Sequence, residues 1–360
     1  MRAAGLDVAA LTDHASIPHE HLHRLSQDSY PDVAALNTAR SAPRSFDAAA
    51  WERTARIADA HDVPGEFTAL RGFEWTEPWL GHVNVWFSQA YLPVTTPGAL
   101  AGLEDFLVQA EPDALYGYNH PGREPGRLHD FARPTRYGDA AAALERRMVA
   151  AEAFNRQWDF LFAGQVAGQG PAAGSPLAEI LDRGWRPGLI GCSDEHSMSY
   201  GLSGKGRTGL WVHEHSRAGV REAMAARRVY ATREVDLRLD ATLDGARMGS
   251  CPAGPLAGAH VLAVDLAGGS YDGIDVELQL LTGDGCGNVV AAARLAGIGG
   301  EVTTAGIVLP EDCAWVVLRV ADPAHHNDTS GPEGHPANSW GVAYASPWWP
   351  GPATPVRRPG

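Results

Sequence analysis

The chain has 360 residues, 43 acidic and 29 basic, and its formal charge of −14 argues against nucleic acid or an anionic membrane as the main partner. Its length suggests two domains, and 44% apolar with 20% charged residues excludes a disordered or collagen-like chain. No apolar run reaches the ~18 residues of a membrane span, so the expected partner is a small-molecule substrate. Cys192, Cys251, Cys286 and Cys313 lie too far apart for a zinc ribbon or a redox motif, which fits a reducing, cytoplasmic setting.

In chain order, short apolar runs rich in β-branched and aromatic residues alternate with Ala-rich amphipathic stretches over the first two thirds. That is the pattern of βα units around a parallel sheet. The runs predict strands at Leu6–Leu11, Phe67–Phe73, Val83–Phe87, Leu115–Tyr118, Met148–Phe154, Gly188–Cys192 and Thr208–Val212. Apolar spacings of three and four predict helices at Phe46–His61, Ala99–Ala110, Asp139–Arg147, Pro176–Arg183 and Arg217–Arg228. From about Val235 the pattern becomes strand, turn, strand, with Asp-Gly and Gly-Asn turn signals, and predicts an antiparallel β-sandwich. The expected divisions are a barrel-like unit at 1–235, a small all-β unit at 236–348 and a Pro-rich tail at 349–360.

Strand after strand runs into residues that bind metals or carry protons. Thr12-Asp13-His14 follows the first, Glu74 the second and Asn119-His120-Pro121 the fourth; Glu152 and Asn155 sit in and after the fifth, and Ser193-Asp194-Glu195-His196 follows the sixth. In parallel α/β folds ligands gather at the carboxyl ends of strands, so these side chains are expected to converge. Asp194 and His196 are two apart and would share a face if the strand continued. Imidazole mixed with carboxylate suits Zn, Mn or Fe better than Ca or Mg.

The ordered set Leu11-Thr12-Asp13-His14, Gly72-Phe73-Glu74, Gly81-His82, Asn119-His120-Pro121, Glu152 with Asn155, and Ser193-Asp194-Glu195-His196 resembles the motifs of the PHP (polymerase and histidinol phosphatase) superfamily. The segment Ala226 to Thr232 and the β-rich region after it resemble its CehA/McbA-like branch of metallohydrolases. The resemblance implies an α/β fold with a distorted (β/α)7 barrel, two or three divalent metals, and hydrolysis of phosphoesters or of carbamate and ester bonds. It also implies metal ligation by His14, Glu74, His82, His120, Glu152, Asp194 and His196, with Glu74 bridging, and a proton-accepting role for Asp13 or Asp194.

The family pattern opens with a strand ending in His-x-His, and the chain starts at Met1 without one. We expect the true start to lie upstream, where any export signal would also lie. Two substitutes are conceivable: His19-Glu20-His21-Leu22-His23, in a segment read as a loop, and His213-Glu214-His215, after the last barrel strand. Without its first strand the barrel would leave Leu6–Leu11 and Thr208–Val212 as open edges, which invite pairing with a second copy. Lys205 and Arg207 could bind an anionic substrate, and Trp75, Trp79 and Trp86 could wall its pocket or fill the core. Two functions stay open. The retained ligand positions favour a hydrolase, because His and Asp are costly to hold poorly solvated without a task. The missing His-x-His favours a catalytically impaired binding or scaffold module.

Overall fold

The computed structural model describes residues 1–15, 47–77, 80–93, 100–124, 141–162, 174–196, 200–283, 287–299, 303–327 and 331–351. His19, His21, His23, Trp79 and Cys286 lie outside them, as does most of the Pro-rich tail.

The first half contains β1 (Val8–His14), α1 (Ala48–His61), β2 (Thr68–Glu77), β3 (Gly81–Trp86), α2 (Leu100–Asp105), which passes into a π-helical turn at Phe106–Ala110, and β4 (Leu115–Tyr118). Then come α3 (Ala141–Arg147), β5 (Met148–Asn155), β6 (Trp158–Asp159), α4 (Pro176–Asp182), β7 (Gly188–Cys192), β8 (Arg207–Leu210), α5 (Arg217–Ala225) and β9 (Val229–Thr232). Capping defines several helix starts. Asp47 accepts the Ala50 N–H at 2.7 Å, Ser175 the Ala178 N–H at 3.1 Å and Ser216 the Gly219 N–H at 3.1 Å, each satisfying a donor that the first helical turn leaves unpaired.

Strands β1 to β7 form one curled, half-barrel sheet ordered β1-β2-β3-β4-β5, with β6 and β7 both on β5. Its strands appear where the apolar runs predict them, but the sheet is mixed rather than parallel. β1 runs parallel to β2, and β5 parallel to β4 and β7, whereas β2–β3 and β3–β4 are antiparallel. For β2–β3 the cause is chain length: only three residues separate Glu77 from Gly81, and a parallel crossover needs about a dozen. A closed barrel of seven βα units is not seen among the described residues.

The strand expected at Thr208–Val212 joins a different sheet. β8 pairs antiparallel with β9, and β9 with the last strand of the chain. Side chains occupy the outer edge of β7 instead. The Gly191 N–H donates to Thr208 Oγ1 at 3.2 Å, the Thr208 hydroxyl donates back to the Gly191 carbonyl at 2.8 Å, and the Leu189 N–H donates to Ser346 Oγ at 3.1 Å. This crossing requires glycine, since a Cβ on Gly191 would lie 2.4 Å from the Arg207 carbonyl oxygen. β1 is therefore an edge strand, and beside it a cavity of about 750 Å³ runs between β1, β7, β8 and α5.

The remaining strands are β10 (Arg238–Leu243), β11 (Ala246–Arg247), β12 (Gly258–Ala267), β13 (Val276–Thr282), β14 (Asn288–Leu295), β15 (Thr303–Leu309), β16 (Val317–His326) and β17 (Ser339–Ala345). They make an antiparallel sheet ordered β11-β10-β12-β15 and a second ordered β14-β13-β16-β17-β9-β8. One buried cluster draws on both sheets, with Leu239, Leu243, Leu262 and Leu266 from the first and Leu278, Leu318 and Val342 from the second. β12 shows why: its burial alternates residue by residue, with one face toward that core. The second sheet spans residue 235, so β8 and β9 fold with the β-rich part. Among the described residues no helix is long and apolar enough to cross a membrane.

Candidate metal centre

Five segments bring the site together. Glu74 on β2 and His82 on β3 are diagonal neighbours across their hairpin, because Glu74 faces Asn84 and Thr76 faces His82. His14 ends β1 opposite Glu74, and its Nδ1 lies 2.6 Å from Glu74 Oε2 and 2.7 Å from Thr76 Oγ1. Glu74 Oε1 lies 3.0 Å from His82 Nδ1 and 3.7 Å from His120 Nε2, and accepts the Asn119 amide at 2.7 Å. Glu124, four residues beyond His120, reaches His120 Nδ1 at 3.3 Å and His82 Nε2 at 3.8 Å. Deeper in, Glu152 Oε2 accepts the His120 N–H at 2.7 Å and the Asn155 amide at 2.8 Å.

Charge follows from this crowding. Burial alone would raise the Glu74 carboxyl, but His82, His120 and His14 hold it well below the usual carboxylate range. Burial likewise opposes protonation of His120, and the Glu124 and Glu74 carboxylates overcome it, raising that imidazole well above its usual value. His14 is raised in the same way, with Glu74 outweighing burial. Glu152 behaves oppositely. Burial dominates there and pushes its carboxyl up to about 7, so it can hold or release a proton near neutral pH.

The donor set fits divalent metal. His14, Glu74 and His82 form one group, and His82, His120 and Glu124 a second, with the ligand atoms in each group within 4.8 Å of one another. Buried oxygens with no hydrogen bond sit among them: Glu152 Oε1, Asn119 Oδ1 and Asn155 Oδ1. Lone pairs left over in a buried site are what a cation would satisfy.

The other expected residues are less central. Asp194 and His196 come together, with His196 Nδ1 3.0 Å from the Asp194 carbonyl oxygen. They do so through a turn, because β7 stops at Cys192 and Asp194 takes φ 41°; strand alternation is not the reason. His196 touches the metal-like groups through His14, Nε2 to Nε2, at 3.2 Å. Asp13 is exposed and makes no hydrogen bond or ion pair among the described residues; it neighbours His14 on a strand whose side chains alternate in direction. Lys205 pairs with Glu195, and Arg207 donates to the Gly201 and Leu202 carbonyls at 3.2 and 3.1 Å, so both are tied into their own loop. His215 binds the Asp7 carbonyl at 3.1 Å, about 23 Å of strand from His14 at ~3.3 Å per residue. The pair with His213 therefore cannot replace a ligand. Trp75 and Trp86 are core residues, although Trp86 also lines the cavity.

Sequence reading missed Glu124, Arg123 and Arg156. Glu124 was discoverable, as a carboxylate four residues after a candidate ligand in Asn119-His120-Pro121-Gly122-Arg123-Glu124. A family model described as "Protein of unknown function (DUF3604)" matches residues 5–91. The match takes in His14, Glu74 and His82 and about a quarter of the chain. No curated protein and no solved structure matches the chain.

Proposed function

We propose that the protein is a PHP-type, metal-dependent hydrolase acting on a phosphoester or on a carbamate or ester bond. The observation that carries this reading is Glu74, a 5% exposed carboxylate with imidazoles at 2.6, 3.0 and 3.7 Å. Glu74 with His14 and His82 would hold one divalent cation, and His82, His120 and Glu124 would hold a second. When bound, Zn, Mn or Fe would acidify a water and polarise a phosphoryl or carbonyl oxygen.

The chain's own residues supply the rest. Thr76 Oγ1 lies 2.7 Å from His14 Nδ1, and Asn119 steadies Glu74. Such outer partners fix the orientation of ligands. Glu152 lines the cavity, and its Oε1 is without a partner, a place where a proton can be held or passed on.

The test is hydrolysis of p-nitrophenyl phosphate, bis-p-nitrophenyl phosphate and p-nitrophenyl acetate by protein loaded with Mn, Zn or Fe. The expected result is metal-dependent turnover of at least one substrate that Glu74→Gln abolishes. A protein that takes up no metal and turns over none of the three substrates would overturn the reading.

A further inference from the structure

Two arginines meet on Asp194, a carboxylate that lines the cavity. Arg156 Nε lies 3.2 Å and Arg123 Nη1 3.5 Å from the same atom, Asp194 Oδ2. Arg156 Nη2 also lies 3.1 Å from His196 Nδ1. Both side chains are about one-third exposed, and among the described residues Arg123 makes no side-chain hydrogen bond and Arg156 Nη1 has no partner. Donors are therefore left over beside the metal-like groups.

The position is built. Arg156 takes φ 54° and Asp194 φ 41°, conformations that cost a non-glycine residue energy and persist only when their surroundings impose them. The surroundings here are the Arg156 N–H on the Cys192 carbonyl at 2.9 Å and the Gly206 N–H on the Arg156 carbonyl at 2.6 Å. Gly206 is needed for that approach, since a Cβ there would lie 2.7 Å from the Cys192 carbonyl oxygen. Arg123 is placed by a turn in which its N–H donates to the His120 carbonyl at 3.1 Å, with His120 itself at φ 25°.

We infer that Arg123 and Arg156 form an oxyanion clamp that selects substrates bearing a phosphoryl group. The inference rests on the hydrolase reading of the same site. An anionic substrate approaching a chain of net charge −14, and a pocket lined by Glu74, Glu152, Asp194 and Glu195, is repelled unless cations gather at the entrance. Guanidinium forks bind phosphate and carboxylate in a bidentate manner. Two forks converging from different segments suit a tetrahedral group with three oxygens better than a planar one with two. The clamp takes the substrate role that sequence reading gave to Lys205 and Arg207.

Binding of inorganic phosphate, sulfate and acetate is measured by calorimetry on the protein as purified and on the Arg123→Ala/Arg156→Gly variant. Glycine suits the positive φ at 156, so folding is preserved, and metal content is assayed in both proteins. The expected result is at least tenfold weaker phosphate binding by the variant, with metal content unchanged. KM for p-nitrophenyl phosphate should rise at least tenfold, and KM for neutral p-nitrophenyl acetate should not move. Unchanged phosphate binding overturns the clamp, as does acetate binding as tightly as phosphate. Loss of metal together with phosphate overturns it too, because the arginines would then act only by positioning Asp194. Arginine-dependent phosphate binding without hydrolysis of any substrate would keep the clamp and sink the hydrolase reading.

Discussion

Glu74 Oε1 lies 3.0 Å from His82 Nδ1, across a hairpin whose register sets both side chains on one face. The contact depends on the three residues between β2 and β3. A one-residue slip would turn one of the two side chains to the opposite face, so the same short link that makes the sheet mixed also makes the site.

Replacing Glu74 by Gln keeps the shape and removes the charge that the three imidazoles surround. Metal-dependent hydrolysis should fall at least about 100-fold, since even partners outside the ligand shell are worth 10–100-fold. Steady-state rates at saturating Mn or Zn check this, alongside circular dichroism to show an intact fold. A variant within tenfold of the parent would remove Glu74 from the centre.

Glu124 belongs only to the second ligand group and His14 only to the first. Elemental analysis should find about two metal equivalents in the parent, and Glu124→Gln should hold about one. His14→Ala should also lose one, from the other position. If both variants keep the parent's metal content, the two groups are hydrogen-bonded clusters and nothing more.

Arg319 and Asp159 are both fully buried, 3.3 Å apart, and join the β-rich sheet to the hairpin that follows Asn155. Tyr344, Asn327 and Arg233 also reach Asp159. Removing one partner leaves a buried charge undercompensated, at a cost of about 3 kcal/mol. Arg319→Met should destabilise the protein by that amount in urea unfolding. The Asp159→Asn/Arg319→Met double variant should recover part of it.

Asp322 accepts hydrogen bonds from the Ala324 N–H at 2.9 Å and the Tyr271 hydroxyl at 3.1 Å, and its Oδ2 lies 2.7 Å from His325 Nδ1. Burial would raise this carboxyl, yet those partners lower it. A carboxyl lowered on folding contributes stability above its unfolded value of about 3.9, and that contribution is lost as pH falls through the lower folded value. Melting temperatures of the parent and Asp322→Asn should differ most above about pH 5 and converge only as pH falls below the unfolded value of about 3.9 and through the lower folded one. A gap that does not change with pH would assign Asp322 a purely steric role.

The sequence by itself determined the strands and most of the residues that meet in the candidate site. Runs such as Met148–Asn155 are apolar enough to be buried on both faces, and the polar residues at their ends had nowhere to go but a shared mouth. His14, Glu74, His82 and His120 were legible for that reason. Tertiary structure alone decided the rest. Strand direction depended on the length of the link at Glu77–Gly81, and the sheet that β8 joins depended on the glycine crossing at Gly191. Glu124 and the two arginines entered the site through turns at positive φ, a conformation that short-range sequence pattern does not specify for His, Asp or Arg. Local periodicity fixes which residues must be buried, whereas which buried residues meet is set by chain crossings that only the folded molecule contains.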